Sequence, residues 1–139
     1  MEIDCEKAKL NVLLIHQFLS EESQWAKGIS LSTVQKSLEN SLCFGGYVGS
    51  EQIAFARVIT DYSTFANLVD VFVLPNYRGN GFGKKLMEAV ISHPELQGLR
   101  RFTLATADAH GLYSQCGFAS LVKPQTFMER YQPDVYVSS

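Results

Sequence analysis

Two places in this sequence combine residue types and spacing that could do chemistry. The first is the loop Arg78-Gly79-Asn80-Gly81-Phe82-Gly83, followed by Lys84 and Lys85 and running into a helical pattern. At a helix start several backbone N–H groups have no intrahelical partner and carry the positive end of the helix dipole. Glycines let an anion approach that backbone closely, so the loop reads as a phosphate cradle. The second is Asp70, inside the otherwise apolar run Val69-Asp70-Val71-Phe72-Val73. A carboxylate is costly to bury without partners. Asp70 therefore faces a cleft as a base or sits in an ordinary salt bridge, and the sequence weighs these equally. Asp61, Tyr62 and His110 are the other titratable candidates, with His110 reading better as a solvated surface residue.

The loop has rivals to exclude. A P-loop needs a glycine five residues before Gly83 and a Ser or Thr after the lysine, where this chain has Arg78 and Lys85. A dinucleotide fold places its glycines after the first strand and an acidic ribose contact later. Here the unit follows a hairpin in mid-chain. A bare glycine turn carries little weight, so the surrounding elements must decide.

Those elements are legible from periodicity. Residues 1–5 suggest a short strand, and 8–19 have helical spacing at Val12, Ile15 and Leu19. A polar loop with Trp25 and Gly28 follows. Ser32-Thr33-Val34-Gln35 reads as a capping box opening a second helix that reaches about Asn40. Aromatic and branched residues at 42–48 and 52–60 flank Gly49-Ser50 as a hairpin. A strand at 65–74 stops at Pro75, and the pattern Phe82, Leu86, Val90 marks an amphipathic helix over 82–92. A strand at 101–106 and a short helix at 109–116 come next, then two last strands at 118–122 and 126–131. Helices and strands in this order predict a mixed α/β sheet with helices on its faces.

At 139 residues, 46% hydrophobic and 19% charged, the chain suits one compact domain over 1–139, with order expected to fade after Pro133. A net charge of -2 offers nothing global for nucleic acid or an anionic membrane. The start lacks the basic-then-apolar pattern of a signal peptide. No apolar run spans a bilayer. Three scattered cysteines and three histidines lack disulfide or metal spacing, so no metal is expected and a cytoplasmic setting is.

Two motifs then support one another. Val71-Phe72-Val73-Leu74-Pro75-Asn76-Tyr77-Arg78-Gly79-Asn80-Gly81-Phe82-Gly83 resembles the CoA-binding motif of the GNAT superfamily of N-acetyltransferases. Ala109-His110-Gly111-Leu112-Tyr113-Ser114-Gln115-Cys116-Gly117-Phe118 is similar to that superfamily's second signature, and Ile53-Ala54-Phe55-Ala56-Arg57-Val58 to its third strand. The resemblance covers roughly residues 42–120.

It implies a mostly antiparallel central sheet with helices on both faces, in which strands 65–74 and 101–106 splay apart around the pantetheine arm of acetyl-CoA. Main-chain groups of Val71 and Val73 would pair with that arm, and backbone N–H groups from Arg78 through Gly79, Asn80, Gly81, Phe82 and Gly83 to Lys84 would hold the pyrophosphate. Thr106 stands where the family often has Asn, and a hydroxyl offers fewer hydrogen-bonding groups than an amide. The implied reaction is acetyl transfer to a primary amine of a small molecule or peptide by direct attack. The Val73 N–H would serve as oxyanion donor. Tyr113, against the cofactor, would give a proton to the departing thiolate, since a phenol with a pKa of about 10 stays protonated at neutral pH. Asp70 is the leading base among weak candidates. Trp25, Arg57 and Tyr62 are the expected acceptor-lining residues, although Trp25 could close the helices onto the sheet and Arg57 could face solvent. A homodimer is common for such proteins, and no residue of the sequence singles one out. The alternative is a non-catalytic acyl-CoA-binding or regulatory domain on the same fold.

Overall fold

The structure, a computed structural model, describes residues 1–137. One sheet runs in sequence order through β1 (Glu2–Asp4), β2 (Leu42–Val48), β3 (Glu51–Thr60), β4 (Phe65–Val73) and β5 (Arg101–Leu104). The first four pair antiparallel and β4 pairs parallel with β5. A parallel step needs a crossover, which α3 (Phe82–Ser92) supplies. The remaining helices are α1 (Val12–Gln17), α2 (Leu31–Glu39) and the short α4 (His110–Ser114). No helix among the described residues is long and apolar enough to cross a membrane.

Helices cover both faces, as expected of this mixed sheet, and each face has its own core. On one, Leu86, Met87 and Val90 of α3 pack with Phe44, Ala56 and Leu68. On the other, Ile15, Phe18, Val34 and Leu38 from the N-terminal helices pack with Cys43, Phe55 and Phe72. The assignment of alternate strand residues to opposite faces follows the pleat.

β4 breaks that alternation once. Phe55 pairs with Phe72, but Arg57 pairs with Val69, so β4 carries one residue more than β3 across this step. The extra residue is a β-bulge, and Asp70 within it has φ +57. A one-residue slip turns every later side chain to the other face. Ala66 and Leu68 therefore face α3, whereas Phe72 turns to the N-terminal helices and stacks on Phe18 with ring centroids 4.0 Å apart. Val71 and Val73 are delivered to the α3 side.

Several local expectations are corrected. The first helix starts at Val12 rather than residue 8, because the Asn11 side chain caps it by accepting from Leu14 N–H at 3.1 Å. Lys7–Lys9 forms a separate 3-10 turn, and Phe18–Glu22 widens into a π turn. The cap of α2 is Ser30, whose hydroxyl accepts from Thr33 N–H at 3.2 Å, so Ser32 lies inside the helix. Segments 118–122 and 126–131 form no strand. Between them the chain makes a 3-10 turn at Pro124–Thr126. A strand needs a neighbour to take its hydrogen bonds, and among the described residues neither segment has one.

Candidate functional site

The glycine loop leaves β4 through Pro75 and delivers the chain to the start of α3. Gly79 and Gly81 have φ +83 and +75, a region that side-chain-bearing residues rarely adopt. A Cβ at either would meet nothing within 4 Å, so the loop is open on that side. Gly81 is the N-cap of α3 and no side chain caps the helix. The first intrahelical bond is Lys85 N–H to Gly81 O at 3.1 Å. The N–H groups of the preceding turn thus remain available to an anion. Asn80 Nδ2 braces the loop by donating to Tyr77 O at 3.2 Å. Arg78 Nε donates to Val73 O at 2.9 Å, binding the loop back to the strand end. Lys85 donates from Nζ to Met1 O at 2.6 Å, which ties it to the N-terminus. Lys84 remains exposed beside the loop.

β4 and β5 stop pairing at Leu68 and Leu104, leaving the last part of β4 without a neighbour on that edge. Leu74 N–H donates to Ile53 O at 2.8 Å. Strand alternation then turns the main-chain groups of Val73, and of Val71 two residues before, toward the opening.

The second motif closes the far side of this opening. A Cβ on Gly83 would lie 3.9 Å from Leu112 Cδ2, so the start of α3 and the helix carrying Tyr113 are neighbours. Tyr113 packs among the apolar residues of the α3 side and meets Phe118 edge-on, with centroids 6.2 Å apart. Burial pushes its phenol pKa above the ordinary tyrosine value, and the nearby Asp108 charge adds to the effect. Thr106 Oγ1 accepts from Ala109 N–H at 3.1 Å, fixing the turn into α4, while its hydroxyl proton stays free to donate elsewhere.

Asp70, Arg57 and Trp25, separate in sequence, meet on the opposite face. Asp70 is buried; its Oδ2 accepts from Arg57 Nε at 2.9 Å and its Oδ1 from Trp25 Nε1 at 2.8 Å. Of the two readings of Asp70, this is the salt bridge. Arg57 does not face solvent: its Nη1 donates to Ser41 Oγ at 3.1 Å. Ser41 is buried and belongs to the cluster, and nothing in its sequence context marked it out. Trp25 is half-exposed, offering its ring to the surface while its N–H is used inside.

Two candidates lie elsewhere. Asp61 organises the β3–β4 turn, accepting from Thr64 Oγ1 and the N–H groups of Ser63, Thr64 and Phe65, which hold its carboxyl well below the usual range. Tyr62 sits exposed in that turn with φ +61. The turn is at the opposite end of β4 from Val73, about 25 Å away at the strand rise of about 3.3 Å per residue, and does not join the loop and Tyr113. His110 is exposed on α4. It lines an open groove of about 850 Å³ outside β5, which also reaches Tyr113 but includes no residue of the glycine loop.

A family model for the acetyltransferase (GNAT) family matches residues 12–118. A protein of Gibberella zeae named as a candidate acetyltransferase is 31% identical over 135 residues, spanning 81% of this chain and 75% of that one. The crystal structure of a candidate GNAT-family acetyltransferase from Xanthomonas campestris pv. campestris is 55% identical and superposes with a TM-score of 0.97, over 99% of this chain and 96% of that one. A Mycobacterium tuberculosis protein solved in complex with CoA shares the fold at a TM-score of 0.70 and 13% identity, over 87% of this chain and 73% of that one.

Proposed function

This chain belongs to the GNAT acetyltransferase family, and on that premise we propose that it transfers acetyl from acetyl-CoA to a primary amine of a small molecule or peptide. The observation that carries this reading is the uncapped glycine start of α3 set against the Leu112-Tyr113 helix, beside the unpaired end of β4. The donor set fits acetyl-CoA: free N–H groups from Gly81 to Lys84 suit a pyrophosphate, and the outward main chain of Val71 and Val73 suits an amide-bearing arm. When bound, the cosubstrate supplies an acetyl group activated as a thioester.

The chain's own groups then have distinct tasks. Val73 N–H would donate to the thioester carbonyl oxygen as it gains charge. Tyr113 keeps its proton on Oη at neutral pH and is the proton source for the departing sulfur. Asp70 serves by holding the bulge that turns Val71 and Val73 toward the opening, in place of acting as the base. The acceptor lies on the face of the N-terminal helices, where Trp25 presents its ring. Tyr62, at the far end of β4, takes no part in that pocket.

The test is release of thiol from acetyl-CoA across a panel of polyamines, amino acids, aminoglycosides and peptide N-termini. Turnover with an amine supports the proposal. Tight acetyl-CoA binding with no thiol release from any amine would favour the non-catalytic acyl-CoA-binding domain instead.

A further inference from the structure

β5 hangs from the sheet by a short seam. It pairs with β4 only from Phe65 opposite Arg101 to Leu68 opposite Leu104, and among the described residues it has no strand on its other side. β4, by contrast, is held by β3 from Ala66 opposite Thr60 to Val73 opposite Ala54. Parallel pairing is slightly weaker per residue than antiparallel, and the last rung before the strands part has no rung beyond it. The seam therefore decides where β5 lies, and with it Thr106 and the turn into the helix that carries Tyr113.

One side-chain bond crosses that seam. Thr103 Oγ1 donates to Asn67 Oδ1 at 2.8 Å, one rung before the last pair. Ala66, Leu68, Phe102 and Leu104 turn toward the α3 core, so alternation puts Asn67 and Thr103 on the opposite face. Both are partly buried there. Asn is depleted in strands because its carboxamide competes for backbone hydrogen bonds. Here, in the middle of β4, its oxygen is spent on the neighbouring strand.

The bond stands the same number of residues from each wall of the opening. Three residues beyond Asn67 is Asp70, whose bulge turns Val71 and Val73 toward the gap. Three residues beyond Thr103 is Thr106, whose Oγ1 fixes the turn into α4. Thr103, Thr106 and Tyr113 line one open groove. A cross-strand pair of this kind changes the ratio of closed to frayed rungs by up to about fivefold. That is small beside the stability of a whole domain and large for a single rung. Losing it opens the seam and leaves the fold standing.

We propose that Asn67 and Thr103 are positioning residues for the acetyl-CoA arm. Their bond fixes the point at which β4 and β5 part, and so the width of the gap between Val71 and Val73 on one wall and Thr106 and Tyr113 on the other. Without it the Leu68–Leu104 rung frays and the mouth of the gap moves back toward Asn67. The fraction of chains with the gap at its binding width then falls, and the apparent affinity falls by the same factor. The proposal rests on the acetyl-CoA reading for its ligand, and goes beyond it in assigning two residues that touch neither the thioester nor the pyrophosphate.

The test is calorimetric titration of acetyl-CoA into the full chain and its variants, with amide hydrogen exchange on each. Thr103→Val keeps the shape of the side chain and removes the hydroxyl. It should bind acetyl-CoA about threefold to fivefold more weakly, the scale of one cross-strand pair, and Thr103→Ser should restore the affinity. Arg100 N–H donates to Thr64 O, so alternation aims Leu104 N–H at β4. That amide should exchange faster by a similar factor in Thr103→Val. Ser30→Ala, which removes the cap of α2 and costs the fold a comparable amount, is the control and should bind as the unaltered chain does. Asn67→Ala combined with Thr103→Val should lose no more affinity than the larger of the two single losses, because one bond is lost only once. Unchanged affinity in Thr103→Val would overturn the proposal, as would an equal loss in Thr103→Ser or Ser30→Ala, or single losses that add. Each of these leaves the acetyl-CoA reading standing, whereas an unaltered chain that binds no acetyl-CoA overturns both.

Discussion

The indole N–H of Trp25 donates to Oδ1 of Asp70 at 2.8 Å, and this bond joins the loop before α2 to the bulge of β4. With Arg57 on the other oxygen, it holds a residue with a Cβ in a left-handed conformation that costs roughly 1–2 kcal/mol. The bulge is thus maintained by contacts made on the face opposite to the one it serves.

Asp70→Asn keeps an acceptor for Trp25 and a residue type that tolerates positive φ, but leaves Arg57 without its counter-charge. We expect a loss of about 3 kcal/mol, the scale for breaking a largely buried pair, read from the urea midpoint. The acid limb of the pH–rate profile should stay in place. Its disappearance at unchanged stability would restore Asp70 as the base.

Gly81 separates charge from shape. Asn and Asp both tolerate left-handed φ, and a Cβ at this position would meet nothing within 4 Å. Gly81→Asp should weaken acetyl-CoA binding by at least about tenfold more than Gly81→Asn, since only the former sets a negative charge against phosphates. Equal affinities by calorimetry would take the pyrophosphate away from this loop.

Tyr113→Phe removes one hydroxyl from a packed ring. A drop in kcat of about 10²-fold or more is expected for a lost proton donor, with acetyl-CoA affinity nearly unchanged. Burial penalises the phenolate, so the protonated form persists above the ordinary value of about 10. The alkaline limb of kcat should therefore lie above that value and vanish in the variant. Wild-type turnover in Tyr113→Phe would remove the residue from its role.

Thr106→Val deletes the acceptor that Ala109 N–H uses and should cost about 1 kcal/mol in thermal melts. Thr106→Asn retains an acceptor at that point and should recover most of this stability. A neutral Val variant would show that the turn into α4 does not need the hydroxyl.

Much of the fold could be read because its signals are local. The hairpin of β2 and β3 and the amphipathic run of α3 match their periodicities, and the glycine loop announces the turn it makes. The errors arose where distant contacts decide. Asn11 and Ser30 cap their helices, where the sequence pattern pointed to a start at residue 8 and a cap at Ser32. Asp70 stood out as a charge in an apolar run, yet only the fold brings Trp25 and Arg57 to it. Segments 118–122 and 126–131 have strand composition, but a strand is a relation between neighbours, and composition cannot say whether the neighbour is present. Tyr62 lies in the turn at the opposite end of β4 from Val73, a separation that its nearness to β4 in sequence does not reveal.

The two cores on either side of the sheet share little: among the described residues, Leu74 is the one apolar residue that packs against both. A repacking of Ile15, Phe18 or Val34 has no direct route into the cluster around Leu86 and Met87 beneath the glycine loop. The N-terminal helices, proposed here to face the acceptor, can thus accumulate substitutions while the half that carries the glycine loop stays as it is. In a lineage of such chains, appetite for new acceptors can drift without renegotiating the cosubstrate.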